Sequence, residues 1–598
     1  MKSLLTLLLF TAYVFAQVNI LPRPEHPRPQ FERSDWINLN GEWTYSFDFG
    51  NSGRDKNWMS KEKFDGKIIV PFCPESKLSG VEYKDFIEHM WYQRTLDIPA
   101  NWNGKRIILN FGAVDYESEV YIDGKSVGVH YGGTSSFGYD ITRYVAAGKT
   151  HNLVVRIADD SRNGEQPSGK QCYAYNSEGC FYTRTTGIWQ TVWLEAVNQF
   201  GLKDCYIIPD LDNNQFNFIP RFYEMKQGLK LRITLSNGQE KVAQTSASVS
   251  SGNMISVQVK NPVTWSPENP FLYNILLEII DPSGNVLDKV SSYSGMRKVH
   301  IEGNKIYLNN KPYYLRFVLD QGFYSDGIWT APTDEALKHD IELSMNAGFN
   351  GARLHQKVFE ERFHYWADKL GYLTWGESSS WGCNTNKVEA ARNFLSEWEE
   401  IVVRDRNHPS IITWTPFNET WERSESDGKQ HNRFLTDAYK LTHNLDYTRP
   451  VHDVSGNYHV KTDIWTVHLY DQDPEKLKQN LTVDPEKGVY RNNPKYEVEY
   501  TGQPYLVDEY GGIKWIAGNA FAQNSWGYGT GPKTLDEFYN RLDALTNVIL
   551  NFDHIVGYCY TQLTDIEQEQ NGIYNYDRSE KFDMAKIKNI FGRSKEIK

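Results

Sequence analysis

At 598 residues the chain exceeds what one hydrophobic core holds and predicts about three or four domains with ample buried volume. Its formal charge of −12 is spread along the chain without a Lys/Arg run or an acidic tail, which argues against nucleic acid and anionic membrane as partners. Aromatic residues reach 14%, with 18 Trp and 37 Tyr, a supply of flat faces that suits sugar rings as well as β-sandwich and barrel cores.

Residues 1–16 combine a charged start, an apolar stretch and the small residues Val14 and Ala16, and read as a cleaved signal peptide. The mature protein is therefore expected to be secreted or periplasmic. That stretch is too short to span a bilayer, and no later segment carries about 18 uninterrupted apolar residues, so no membrane insertion is expected. Six cysteines in so long a chain make no disulfide scaffold. Cys172 and Cys180 are close enough in sequence for a loop bridge, or for two separate thiols.

Over 17–200, short β-type runs such as Gly41-Glu-Trp-Thr-Tyr-Ser-Phe47 and Glu119-Val-Tyr-Ile-Asp123 alternate with Gly, Asn and Asp, predicting a jelly-roll-like sandwich. Strands continue over 201–299, a length that suits an immunoglobulin-like sandwich. From 300 to 598 the pattern changes. Eight apolar runs, at 313–317, 350–354, 372–375, 411–415, 451–454, 464–469, 505–507 and 555–560, are interleaved with helical patterns. With no Gly-rich phosphate turn, this fits a (β/α)8 barrel better than an open doubly wound sheet.

Glu419, in Trp414-Thr-Pro-Phe-Asn-Glu-Thr-Trp421, follows the fourth of these runs, and Glu509, in Pro504-Tyr-Leu-Val-Asp-Glu509, ends the seventh. Pro416 cannot donate to a ladder, so regular pairing should weaken there and leave Asn418 and Glu419 at the carboxyl end. Both carboxylates are thus expected at the mouth where barrel enzymes keep their chemistry. A pair of this kind suits acid and base work on a glycosidic bond.

An ordered set of motifs carries a specific likeness: Leu39-Asn-Gly-Glu-Trp43, Trp91-Tyr-Gln-Arg94, Gly187-Ile-Trp-Gln-Thr-Val-Trp193, Trp265-Ser-Pro-Glu-Asn-Pro270, Trp366-Ala-Asp-Lys-Leu-Gly371, Asn418-Glu419 and Asp508-Glu-Tyr-Gly511. With them the chain resembles glycoside hydrolase family 2, the group of β-galactosidases, β-glucuronidases and β-mannosidases. The resemblance implies Glu419 as acid/base, kept protonated by its neighbours, and Glu509 as an ionised nucleophile. It further implies Asn418 on the hydroxyl beside the reacting carbon, and Tyr470 and Arg353 on the nucleophile, with His468 also among the substrate contacts. No cofactor and no obligatory metal is implied: Glu377 aligns with a magnesium ligand of some relatives, but Ser379 stands where the accompanying histidine would be.

Several positions depart from the family pattern. Arg353-Leu-His355-Gln356 shifts the usual histidine by one, leaving His355 or Gln356 to contact sugar. Phe181 replaces an aspartate by which the first domain reaches the site. The Asn-x-Lys arrangement that holds a uronate is missing near Glu567-Gln-Glu-Gln570. Gln562 and Asp565 are candidates for sugar hydroxyls or for structural hydrogen bonds. The expected function is a retaining exo-β-glycosidase acting on glycosides derived from oligo- or polysaccharides, with β-galactoside first. β-Glucuronidase, β-mannosidase or another glycan-specific relative is the alternative, and an inactive carbohydrate-binding protein is the second. Family members form homo-oligomers, and nothing in the sequence marks an interface.

Overall fold

The computed structural model describes residues 21–420, 428–516 and 524–595, so the expected leader at 1–16 lies outside the described residues. The first sandwich sets a six-stranded antiparallel sheet against a four-stranded one made by Trp36–Asn38, Val192–Val197, Arg106–Phe111 and Phe137–Asp140. Trp43, Leu96, Leu109, Phe111, Val155 and Leu194 fill the space between them. In the second sandwich, strand Lys230–Asn237 shows why these runs form sheets: Leu231, Ile233 and Leu235 alternate inward while their neighbours face outward.

The eight expected parallel strands are present. They are β1 (Leu315–Asp320), β2 (Gly351–Leu354), β3 (Leu373–Glu377), β4 (Ile411–Thr415), β5 (Val454–Ser455), β6 (Trp465–Leu469), β7 (Tyr505–Gly511) and β8 (Ile555–Thr561). Seven form one curled sheet in the order β4-β3-β2-β1-β8-β7-β6. The remaining gap is closed by β5, which pairs in parallel with Phe417–Asn418 just beyond β4. Between β4 and that extension sits Pro416, where pairing breaks as its missing N–H requires.

Helices follow seven of the eight strands, but β5 runs into β6 through the turn 456–464. Gly456 and Asn457 both take positive φ there, and Asp453 accepts hydrogen bonds from His459 and from the backbone of Val460 and Lys461, so the segment is tied into a tight loop. The part of the chain just after 299 is a three-stranded antiparallel element and not barrel wall. Its Val299, Ile306 and Leu308 join Leu315, Leu373 and Leu506 in one core, closing the barrel at the amino ends of its strands. The carboxyl ends are left to face the first sandwich.

The segment preceding the first strand ties the layers together. Arg23 pairs with Glu360 of the barrel. Arg33 reaches Glu195 of the first sandwich and Asp288 of the second, each at 3.0 Å, with all three side chains buried. All six cysteines are free, so Cys172 and Cys180 are separate thiols. Among the described residues no helix is long and apolar enough to cross a membrane.

Removing one member of a buried ion pair strands the others without solvent, at a cost of about 3–5 kcal/mol. Arg33→Ala is therefore expected to lower the thermal midpoint clearly, because Glu195 and Asp288 lose their shared cation. An unchanged melting curve would show that Arg33 does not couple the sandwiches.

Candidate active site

Glu419 and Glu509 converge at the carboxyl ends of the barrel strands. Glu419 leaves the β4 extension with φ of 39°, and its N–H bonds the Ser455 carbonyl at 3.0 Å, so β5 fixes the turn that aims it. Glu509 is buried near the end of β7. A carboxylate oxygen of each, together with Nδ1 of His468 from β6, lies within 4.8 Å of the others.

Arg353, from β2, is wholly buried and organises this mouth. Its Nη1 donates to Glu509 Oε1 at 2.7 Å, its Nε to Glu377 Oε2 at 2.6 Å, and its Nη2 to Asn418 Oδ1 at 2.6 Å and His355 Nδ1 at 2.8 Å. His355 thus serves as acceptor, and burial together with the neighbouring Arg353 pushes its pKa well below 6.5, keeping it neutral. Tyr470 donates to Glu509 Oε2 and touches Thr561 Oγ1 at 2.9 Å. Burial alone would raise the Glu509 pKa, but the charges of His468 and Arg353 outweigh it and hold the group below its ordinary 4.5.

Glu419 departs from expectation. Burial again pushes upward, but the hydrogen bond from His468 Nδ1 at 2.6 Å, with the charges of His468, Lys170 and Arg353, brings its pKa below 4.5. It is thus held ionised, and the proton shared by the pair sits on His468. Although burial opposes it, the facing Glu509, Asp508 and Glu419 raise His468 to about 9. Its other nitrogen meets Ser455 Oγ at 3.0 Å. Arg353 and His468 together set positive charge against the two carboxylates.

Three of the expected sugar contacts are turned inward. Gln356 is fully buried, its Nε2 donating to Ser380 Oγ at 3.0 Å and its Oε1 accepting from Trp381 N at 2.9 Å, so it shapes the loop after β3. Gln562 joins Gln321 to Asn571. Asp565 forms a buried pair with Lys581 at 2.7 Å and accepts from Gly572 N. Each polar atom already has a protein partner, which fixes these side chains as parts of the wall.

Residues 37–194 match the model of the family 2 sugar binding domain of glycosyl hydrolases, 203–297 the model described as glycosyl hydrolases family 2, and 299–595 the family 2 TIM barrel domain. The chain belongs to glycoside hydrolase family 2. A β-galactosidase of Thermoanaerobacter pseudethanolicus is 27% identical over 80% of this chain and 62% of its own length, and a putative β-glucuronidase of Formosa agariphila is 27% identical over 69% and 50%. The chain therefore spans less than two thirds of either relative. A β-glucuronidase of Paenibacillus borealis is 24% identical over 87% of this chain and 89% of its own. The fold is shared with a Ruminococcus gnavus β-glucuronidase solved in complex with D-glucuronic acid, with a TM-score of 0.78 and 20% identity over 95% of this chain and 100% of that one.

In this family 2 chain the first sandwich does reach the mouth, through Phe181 and through residues that sequence reasoning passed over. A loop over 161–185 lies against the segment after β3 and bounds a cavity of about 370 Å³ that opens onto Glu419, with Gln171, Tyr173 and Phe181 on one side and Trp381 on the other. Trp381 donates from its indole to the Asn418 carbonyl at 2.9 Å. The only signals in the sequence were Phe181 in place of the family aspartate and the aromatic text around it.

His468→Gln removes both the stored proton and the cation beside Glu419. The alkaline limb of kcat/KM, set near 9 by the pair, should then fall toward the lower pKa of a lone Glu419. A profile whose alkaline limb stays in place would rule out His468 as the proton's holder.

Proposed function

We propose that the chain is a retaining exo-β-glycosidase, with Glu509 as nucleophile and Glu419 as acid/base. The observation that carries this is the approach of the two carboxylates within 4.8 Å, a spacing that suits direct attack and leaves too little room for the sugar together with an attacking water. Retaining enzymes hold the two groups about 5–5.5 Å apart, and inverting ones wider.

Glu509, ionised and aimed by Arg353 and Tyr470, attacks the anomeric carbon as the bond to the leaving oxygen breaks. The proton on His468 passes to Glu419 and from there to that oxygen, leaving a glycosyl ester on Glu509 and a neutral imidazole. Glu419 then takes a proton from water, whose oxygen displaces Glu509 with retention of configuration. Asn418, its Oδ1 held by Arg353, presents its amide N–H2 to the hydroxyl beside the reacting carbon, and His355 presents its remaining ring N–H. Exo action rests on the likeness to family members.

Among sugars, a neutral β-hexoside is favoured, with β-galactoside first. The loop after β8, where a uronate would need cations, offers Glu567 and Glu569. Two of the relatives are named β-glucuronidases, and that activity is the alternative. The leader-like residues 1–16 support export, and a mature amino terminus at Gln17 would be the check.

Losing the general acid or the nucleophile should cost at least about 10²–10⁴ in turnover of aryl glycosides. Azide should rescue the two differently: Glu419→Ala yields a β-glycosyl azide through the intact ester route, and Glu509→Ala yields the α-azide by direct displacement. Equal turnover in the wild type and both variants, or identical azide products, would sink the assignment.

A further inference from the structure

Lys170 belongs to the first sandwich, yet its side chain ends in the barrel mouth. Only 6% exposed, it makes no ion pair among the described residues, and its ammonium lies 4.1 Å from the centre of the Trp381 ring. Its neighbours are the Trp381 face and the Cys180 thiol, and neither supplies a full opposite charge in contact, so donor capacity remains on the ammonium.

The backbone fixes where it points. Ser168 and Gly169 donate to the Trp381 carbonyl at 2.7 and 3.1 Å, and the Lys170 carbonyl accepts from Tyr182 N at 2.8 Å. Gly169 sits at φ of 57°, and a Cβ there would come within 2.2 Å of the Gln356 carbonyl oxygen, so the loop is pressed against the barrel wall. Burial pulls the Lys170 pKa down, but Cys180, Glu569, Glu509 and Glu419 pull it upward and the net shift is up from 10.5, so the group stays charged.

Glu569 is buried in the loop after β8, with Oε2 accepting from Tyr182 Oη and Oε1 from Asn571 at 2.9 Å. These two bonds orient the carboxylate and leave acceptor capacity on each oxygen. Tyr182 links the two, its N–H donating to the Lys170 carbonyl and its hydroxyl to Glu569, so a donor and an acceptor are held by one segment at the mouth.

We propose that Lys170 and Glu569 together bind neighbouring hydroxyls of a neutral glycone, so that the first sandwich supplies a specificity-determining side chain to the barrel. The assignment rests on the glycosidase reading above and names its substrate class. A neutral sugar fits better than a uronate because the mouth already holds more carboxylates, Glu377, Glu419, Glu509, Asp508 and Glu569, than cations, Arg353, His468 and Lys170. A further negative charge would face Glu569 directly. A hydroxyl accepts from the ammonium and donates to the carboxylate at no cost in charge.

The test compares wild type, Lys170→Met and Glu569→Gln on aryl β-galactoside, its 4-deoxy and 6-deoxy analogues, and aryl β-glucuronide, after matching melting curves. Lys170→Met should lower kcat/KM on the parent sugar by about 10²–10³, yet by less than about threefold on the analogue lacking the hydroxyl it holds. An equal fall on every substrate, or none, overturns the role. A wild-type preference for the glucuronide that disappears in Lys170→Met overturns the neutral class. Calorimetry of the free sugars on Glu509→Gln, with and without Lys170→Met, makes the same comparison without turnover. A protein that hydrolyses nothing thus refutes the reaction, while unchanged sugar binding refutes the recognition.

Discussion

A guanidinium with no access to water holds the mouth of the barrel together. Arg353 is always charged, and taking it out of solvent costs several kcal/mol unless every donor is matched. Glu377 and Glu509 supply the opposite charge, while Asn418 and His355 take the remaining fork. Because the fork is planar, these four partners cannot move independently. Glu509, Asn418 and the neutral imidazole of His355 are set by a single rigid group on β2, and Glu377, which has no direct part in the proposed chemistry, is needed to keep that group buried.

The same arrangement divides the labour between the two carboxylates. Glu509 is kept ionised by full charges and a phenol, whereas Glu419 is less enclosed, with 28% of its side chain exposed toward the cavity where a leaving group would sit. Its ionisation depends on His468. An incoming glycoside displaces water from that side and removes solvation from Glu419, which favours moving the proton across 2.6 Å. On the proposed mechanism acidity is thereby supplied when the substrate arrives and not before.

Much of this was legible in the chain. The eight barrel runs and the terminating effect of Pro416 followed from period and backbone chemistry, and Glu419 and Glu509 stood out because apolar strands ended in acids. What escaped was direction. Gln356, Gln562 and Asp565 sit near the mouth in sequence, but whether an amide or a carboxylate faces sugar or faces Ser380, Gln321 or Lys581 depends on packing many residues away. Lys170 was hidden for the opposite reason, since its position in a sandwich loop near two cysteines announces nothing about a barrel it meets only after folding. The protonation of Glu419 was misjudged because the partner that sets it, His468, comes from another strand.

The contact of residues 168–171 with the segment after β3 also bears on when the protein becomes competent. During synthesis the first sandwich is complete long before Glu509 leaves the ribosome, and domains fold as units from the amino end. A nascent chain therefore carries one side of its cleft for most of translation with nothing to close against. The cleft comes into being only when the barrel closes and accepts that loop, so binding capacity arises as the last event of assembly.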